Sequence, residues 1–401
     1  MKSAMKNGGK NNRWYISFAS ATALPVAGPA AFSDVVNPML AKQTQGLKQS
    51  CGIVLIDFAG SADGRTLIDN LILSNQPKPV AMPLRFKEGK LKIAQLTDVH
   101  WTPGSEKSEK GNPETILKVL DMEKPDVVIL TGDVVTSKPA KEGWKRIVEM
   151  METAGVPFAV TMGNHDAENW SEDSIYNYLS KSRLFIGKKG PEALSGTGNY
   201  ILPVYASDGT DKINALLYCM DSNDYTADAE KYGNYAWIDW GQIAWYREQS
   251  RQYTTKNNGN PLPALAFFHI GVPEFKHLQN RPDMYGHLGE GGGFPKINSG
   301  MFQSMIEMGD VMGVFVGHDH DNDYIAQEYG IALGYGRVSG HDAYGDLERG
   351  ARIIELFEDG RQFDTWIATP SGKSLAYYYP SAITSDDEAV APLPAQSVSP
   401  T

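Results

Sequence analysis

Short apolar runs recur along the middle of the chain, and each is followed within a few positions by a residue that could bind a metal ion. The runs read KIAQL, VVILT, FAVTM, ALAFF and GVFV. Short apolar runs bounded by turn residues are typical of strands that are buried on both faces of a sheet. Because longer stretches with helical spacing separate the runs, the pattern predicts an α/β fold.

Apolar residues at helical spacing predict the helices of this domain. The segments predicted to be helical are residues 114–122, 143–154 and 239–253. Two further segments, residues 213–220 and 349–357, have the composition of strands. We therefore expect one α/β domain in the middle of the chain.

Both ends of the chain differ in pattern from this domain. Residues 1–76 are an N-terminal extension with a predicted strand at 53–58 and a predicted helix at 64–75, and the proline-rich residues 77–89 are predicted to be a linker. Basic residues precede a weakly apolar stretch at 14–31 that matches a signal peptide poorly, so both a cytoplasmic and an exported location stay open. The tail, residues 380–401, is predicted to be disordered. No apolar run reaches the length of a transmembrane helix.

The overall charge narrows the possible partners. The 401 residues carry a formal net charge of −11, and 41% of them are hydrophobic. This composition suits a well-packed globular domain. An acidic balance opposes binding to the phosphate backbone of nucleic acids, so no nucleic-acid partner is favoured. The oligomeric state stays open.

The polar residues behind the predicted strands are of the types that a two-metal hydrolase needs. Such a site requires a carboxylate between two cations, further oxygen and imidazole ligands, and open positions for water and substrate. Asp133 is the best candidate for the shared carboxylate. Asp98, His100 and His320 would complete one metal site, and Asn164, His269 and His318 would complete the other.

Spacing and glycine support this grouping. If the Asp-x-His and His-x-His segments are extended, alternate side chains point to the same side, so both members of each pair can face the site. Glycine precedes Asp133, Asn164 and His318, where it permits tight turns and close approach of the backbone. A single string of this kind is more often a turn or a cap, but the combination favours a metal site.

In order and residue type, these strings resemble the calcineurin-like metallophosphoesterase superfamily over residues 90–370, and in particular its purple-acid-phosphatase-like branch. The branch is indicated by Phe268-His269-Ile270 with Pro273-Glu274, by Gly198-Asn199-Tyr200, and by residues 318–324 and 335–345. The resemblance implies a four-layer α/β/β/α sandwich, with two central mixed β-sheets flanked by helices, and a dinuclear metal centre. It also implies that His165 is a general acid or transition-state stabiliser, supported by an acidic neighbour such as Asp166.

One departure from the family pattern affects the metals. Purple acid phosphatases carry a tyrosine ligand three residues after the bridging aspartate, whereas this chain has Thr136 there. We therefore expect no ferric–tyrosinate colour. The nitrogen and oxygen ligands suit two divalent or mixed-valence ions of Fe, Mn or Zn.

The reaction implied is in-line displacement at phosphorus by a hydroxide that bridges the metals, with His165 acting on the leaving oxygen. We predict a metal-dependent phosphoric ester hydrolase, in particular a phosphomonoesterase acting on a small phosphate ester. A phosphodiesterase or nuclease with the same metal site is the first alternative, because specificity lies in the pocket walls. A catalytically inactive binding module is the second.

Two further assignments rest on short strings. His341 and Tyr344 follow the last strand of the site and are candidates for the substrate pocket, although a turn histidine is an equally good interpretation of His341. Residues 15–76 weakly resemble the C-terminal end of bacterial phosphatidylinositol-specific phospholipase C. Since the catalytic histidines of those lipases come from an earlier part of their domain, the resemblance implies no lyase activity here.

Overall fold

The computed structural model describes residues 81–390, together with Pro38, Lys42 and two short strands before them. The chain divides into two units, residues 1–78 and 79–401. In the first unit, strands β1 (Ile16–Phe18) and β2 (Ile53–Leu55) pair in parallel. The second strand lies in the predicted segment 53–58, while the predicted helix at 64–75 falls outside the described residues.

The second unit is built around two mixed sheets. One has seven strands: β3 (Lys90–Leu96), β4 (Val127–Thr131), β5 (Phe158–Thr161), β12 (Ala351–Phe357), β13 (Phe363–Thr369), β14 (Gly372–Tyr379) and β15 (Ile383–Thr384). The order across this sheet is β15-β14-β13-β12-β3-β4-β5. Strands β3, β4 and β5 are parallel, and β12 joins β3 in antiparallel register.

The other sheet has six strands: β6 (Tyr200–Tyr205), β7 (Ile213–Cys219), β8 (Ala264–Phe267), β9 (Val311–Val316), β10 (Ile325–Glu328) and β11 (Ile331–Tyr335). Its order is β10-β11-β9-β8-β7-β6. Strands β7, β8, β9 and β11 run parallel, and an antiparallel strand closes each edge.

The helices are α1 (Asn112–Glu123), α2 (Ala140–Ala154), α3 (Glu172–Leu179), α4 (Ala229–Tyr232), α5 (Trp240–Lys256), α6 (Phe275–Leu278), α7 (Met301–Met308) and α8 (Ser385–Val390). Local sequence sets their ends. Asp239 and Gln242 form a reciprocal capping box at the start of α5, and Gly155 ends α2 with a left-handed backbone.

Alternate residues of the six-stranded sheet enter two different cores, which establishes the layer order. Leu217 and Phe267 belong to the core shared with the seven-stranded sheet and with α1, α2 and α3. Leu216 and Ala266 belong to a second core with α5 and α7. Because successive side chains of a strand point to opposite faces, the six-stranded sheet lies between these cores. The predicted four-layer sandwich of two mixed sheets flanked by helices is therefore confirmed.

The domain is longer than residues 90–370. Leu84 and Phe86 are buried in the first core, so the predicted linker at 77–89 packs on the domain over its second half. At the other end, β14 and β15 extend the seven-stranded sheet beyond residue 370. The prediction of a disordered tail from residue 380 is wrong up to Val390, because Tyr285 holds the start of α8 through hydrogen bonds to Ser385 and Asp386. Residues 391–401 lie outside the described part.

The predicted helices and strands of the domain are present with small shifts at their ends. Within the described residues, no helix combines the length and the apolar character that a membrane crossing requires.

The contact between the two sheets can be tested by truncating Phe315. Its ring lies 5.6 Å from that of Phe267 and 5.7 Å from that of Phe363 in the opposite sheet. Phe315→Ala should lower the free energy of unfolding by about 3–5 kcal/mol in urea titrations, because it leaves a cavity between the sheets. The exposed Met82→Ala should change it by less than about 0.5 kcal/mol. Similar losses for the two variants would contradict this packing.

Candidate metal centre

The ligand candidates meet where the parallel strands of both sheets end. Asp98, Asp133, His269 and His318 each stand two residues beyond the last residue of β3, β4, β8 and β9, and Asn164 stands three beyond β5. The carboxyl ends of parallel strands are the usual ligand-binding edge of α/β sheets. Both sheets therefore contribute side chains to a single region.

Within this region the side chains form two groups that could each hold a metal ion. One consists of Asp98, His100 and His320, and the other of Asp133, His269 and His318, with the potential ligand atoms of each group within 4.8 Å of one another. The first group has the members that the sequence assigns to one metal site, and the second contains His269 and His318 of the other site together with Asp133; the assignment of these residues as ligands stays a prediction. The two groups also touch, since His100 Nε2 lies 3.6 Å from Asp133 Oδ2 and His269 Nε2 lies 4.0 Å from Asp98 Oδ1.

Several buried atoms here have no hydrogen-bond partner. They are Nε2 of His100, Nε2 of His269, Nδ1 of His320 and Oδ1 of Asn164. A buried polar atom without a partner is costly and needs an explanation, and metal coordination is one. The donor set of imidazole nitrogens, carboxylates and one amide oxygen fits transition-metal ions.

The backbone at several of these residues is not extended, contrary to the prediction from the sequence. Asp98, His100, Asp133 and His318 have positive φ angles of 52°, 45°, 49° and 79°. The paired side chains do converge, but through left-handed turns. Residues other than glycine adopt this conformation at a cost, and such positions concentrate at functional sites.

Glycines allow the turns to approach each other. A Cβ on Gly163 would collide with the backbone nitrogen and the carboxylate of Asp133, and one on Gly317 would collide with the hydroxyl of Thr97. These two positions therefore need glycine, as predicted, because the ligand turns are in direct contact.

Neighbouring groups orient several ligands. His269 Nδ1 lies 2.8 Å from the carbonyl oxygen of Thr131, so Nδ1–H donates to this oxygen and Nε2 is left to bind a metal. Asn164 Nδ2 donates to the Tyr225 hydroxyl at 2.8 Å, which leaves its Oδ1 free. Thr136, at the position of the family's tyrosine, has its Oγ1 3.5 Å from His100 Nδ1.

His165 lies beside these groups, but Asp166 does not support its ring. The Asp166 carboxylate is buried and accepts backbone N–H groups of Val134, Val135 and Gly163 at 2.8–3.0 Å. The acidic partner of His165 is Glu168, whose Oε1 lies 2.7 Å from His165 Nδ1. The catalytic assignment of Asp166 is therefore corrected: this residue fixes the turns that carry Asp133 and Asn164.

Burial and charge set the protonation of the ligands. Burial lowers the pKa of His100 to about 4 and that of His318 to about 3, so both stay neutral near pH 7, the form that binds metals. Burial opposes ionisation of Asp133, but the charge of His269, whose Nε2 lies 3.3 Å from Asp133 Oδ2, outweighs it and lowers the pKa of this carboxyl. Burial and the charge of Asp133 raise the pKa of Asp166 to about 7.

A cavity of about 510 Å³ opens over the metal-ligand groups. His165, Tyr235, Glu290 and Tyr344 lie on its wall. The substrate-pocket assignment of Tyr344 thus remains a proposal that the geometry supports. His341 is different: it is not on this wall, and its Nε2 lies 2.8 Å from the Thr115 hydroxyl on α1. The turn interpretation is therefore the better one for His341.

Sequence reasoning missed Glu168, Tyr225, Tyr235 and Glu290. Each comes from a loop that joins the site only in the folded chain, and none follows a predicted strand directly. The sequence did contain an indication of the contact between Glu168 and His165. The two residues are three positions apart, the spacing at which side chains meet on a helix.

The chain belongs to the calcineurin-like phosphoesterase family, whose sequence profile matches residues 91–322. Its relatives place it in the purple-acid-phosphatase-like branch. It is 31% identical over 324 residues to "Probable inactive purple acid phosphatase 29" of Arabidopsis thaliana, which covers 73% of this chain and 83% of that protein. It is 30% identical over 319 residues to "Phosphatase DCR2" of Saccharomyces cerevisiae, which covers 70% of this chain and 54% of that protein.

Among solved structures, a dimetal phosphatase from Danio rerio aligns with 71% of this chain and 98% of its own, at 13% identity and a TM-score of 0.48. Family membership implies divalent metal ions, and the two ligand groups are the candidate place for them in the described residues.

The orienting role of Tyr225 gives a prediction. Tyr225→Phe removes the hydroxyl that accepts from Asn164, so the amide can rotate and the affinity for Mn²⁺ or Zn²⁺ should fall by about tenfold in chelator competition. Tyr235→Phe is the matched control, because the Tyr235 ring packs edge-on against His318 at 4.5 Å and its hydroxyl has no part in that packing. Equal metal affinities in both variants and the wild type would show that Tyr225 does not orient Asn164 for metal binding.

Proposed function

We propose that this protein is a phosphomonoesterase with a dinuclear metal centre. The observation that carries the proposal is the pair of adjoining ligand groups, with unpartnered nitrogens of His100 and His269 and the free Oδ1 of Asn164. Asp98, His100 and His320 would hold one ion, and Asn164, His269 and His318 the other, with Asp133 shared between them. When bound, such ions supply activation of water and neutralisation of charge on the phosphoryl group.

His165 is the candidate general acid. Its Nδ1 faces Glu168, which holds the ring with Nε2 directed away from that carboxylate. The ring is partly exposed on the wall of the cavity. From there Nε2–H can donate to the leaving oxygen of a bound ester, a step that typically contributes about 10²–10⁴-fold to the rate. Tyr225, 3.4 Å from Nε2, orients the ring from the other side.

The composition of the cavity wall favours a small monoester over a nucleic acid. A nuclease needs basic residues along a groove for the phosphate backbone. Of the described residues that line this cavity, none is lysine or arginine, whereas Glu290 and Asp319 are acidic. A phosphodiesterase remains the first alternative, since both reactions need the same metal chemistry.

The name of one relative raises the alternative of an inactive binding module: the similar Arabidopsis protein is called "Probable inactive purple acid phosphatase 29". The present chain has a residue of ligand type at all seven proposed positions, and the partly exposed His165 lies beside Asp133. This supports retained hydrolysis.

Metal analysis combined with paired assays tests the proposal. The purified protein, loaded with Mn²⁺, Zn²⁺ or Fe²⁺, should hold about two ions per chain and hydrolyse p-nitrophenyl phosphate faster than bis(p-nitrophenyl) phosphate. Faster cleavage of the diester would favour the phosphodiesterase. Two bound ions without turnover of either ester would favour the inactive module.

The division of roles can be tested with two substitutions. His165→Ala should lower kcat by about 10²-fold or more while the metal content stays near that of the wild type. Asp133→Ala should lose metal, because the shared carboxylate is removed. If His165→Ala lost metal and Asp133→Ala kept it, the roles would have to be exchanged.

A further inference from the structure

One wall of the cavity is the segment from Glu290 to Gly293, which runs against the ligand histidines. A Cβ on Gly293 would lie 2.6 Å from His318 Nε2, so the segment fits there only without a side chain at this position. The Gly293 N–H donates to Asp319 Oδ1 at 2.9 Å, and the Glu290 N–H donates to Asn322 Oδ1 at 3.1 Å. Both ends of the segment from Glu290 to Gly293 are therefore hydrogen-bonded to the turn that carries His320.

The Glu290 carboxylate is held in one orientation on this wall. Its Oε1 accepts from the Asp321 N–H at 3.0 Å, and the Tyr344 hydroxyl lies 3.0 Å from Oε1 and 2.9 Å from Oε2. The side chain is half-buried and lines the cavity. These hydrogen bonds already hold the side chain in one conformation. Binding of a ligand to the carboxylate therefore costs the protein little further conformational entropy.

Among the described residues that line the cavity, no lysine or arginine neutralises the negative charge of Glu290. Arg349 lies nearby, but its guanidinium donates to the carbonyl oxygens of Gly340, Ala343, Tyr344 and Leu347. A phosphate ester bound at the metal centre would thus have its phosphoryl group beside the cations and its leaving group beside an acidic wall.

Two tyrosine rings stand beside the acidic group. The Tyr344 ring stacks on His320 with centroids 3.8 Å apart, and Tyr235 packs edge-on against His318 at 4.5 Å. Both rings line the cavity, and Tyr344 is 54% exposed. Aromatic faces together with a carboxylate are the groups that bind organic cations, including quaternary ammonium ions.

We propose that Glu290, Tyr344 and Tyr235 form a subsite for the leaving group that selects phosphate monoesters of positively charged alcohols. Esters whose leaving group carries a further negative charge are rejected by Glu290. This proposal rests on the proposed phosphomonoesterase function and defines its substrate class.

The test compares three small esters that differ in the charge of the leaving group. Phosphocholine is cationic there, glycerol phosphate is neutral, and 3-phosphoglycerate is anionic. With the metal-loaded wild-type protein, kcat/KM for phosphocholine should exceed that for 3-phosphoglycerate at least thirtyfold, roughly what one well-placed charge supplies across a partly buried site. Added NaCl should reduce this ratio, because salt screens the interaction.

Glu290→Gln tests the residue itself. Glutamine keeps the length and can still accept from Asp321 and Tyr344, so the ratio of kcat/KM for phosphocholine to that for 3-phosphoglycerate should fall about tenfold. Glu230→Gln, which removes one charge from an exposed position on α4, should leave the ratio unchanged. Tyr344→Phe, which releases the Glu290 carboxylate, should lower the ratio by a smaller factor.

The outcomes separate this proposal from the function on which it rests. Turnover of the three esters at similar rates, or a ratio unaffected by Glu290→Gln, would overturn the cationic subsite and leave the phosphatase intact. No hydrolysis of any of them or of p-nitrophenyl phosphate by the two-metal protein would overturn the phosphatase function itself.

Discussion

The edge of the fold where the two sheets meet depends on hydrogen bonds that cross from one sheet to the other through the candidate ligands. Asp98, which follows β3, accepts the backbone N–H of His318, which follows β9, at 3.0 Å. His269, which follows β8, lies 2.8 Å from the carbonyl oxygen of Thr131 at the end of β4. The same residues thus join the sheets and line the proposed metal centre. Local packing at this edge cannot change without moving the ligands.

This constraint explains why strained backbone is retained at four ligands. Each left-handed residue costs about 1–3 kcal/mol unless the surroundings determine it. Here the surroundings do so: the Asp98 N–H donates to the Gly132 carbonyl at 3.1 Å, and the His100 N–H donates to the Asp133 carbonyl at 2.9 Å. The buried Asp166 carboxylate collects three further N–H groups of the same turns. The ligand positions are therefore fixed by the backbone before any ion binds.

The strands and the polar residues behind them could be predicted from the sequence because both are local features, whereas the order of the layers was implied by the family resemblance. Asp98 and Asp133, which follow neighbouring parallel strands of one sheet, could be placed at one edge from the parallel-strand rule alone. Glu168, Tyr225 and Glu290 could not, since each reaches the site through a loop whose path depends on tertiary contacts. The assignment of Asp166 failed for a related reason: adjacency in sequence to His165 said nothing about the direction of its carboxylate, which turns inward to the backbone. The extended geometry expected for Asp-x-His failed because close packing of the turns requires left-handed φ angles.

Whether the two ligand groups form one dinuclear centre can be measured by anomalous scattering from crystals soaked in Mn²⁺. We expect two strong peaks roughly 3.5–4 Å apart, one beside His100 and His320 and the other beside His269 and Asn164, with Asp133 contacting both. A single peak, or two peaks that do not share Asp133, would contradict this expectation.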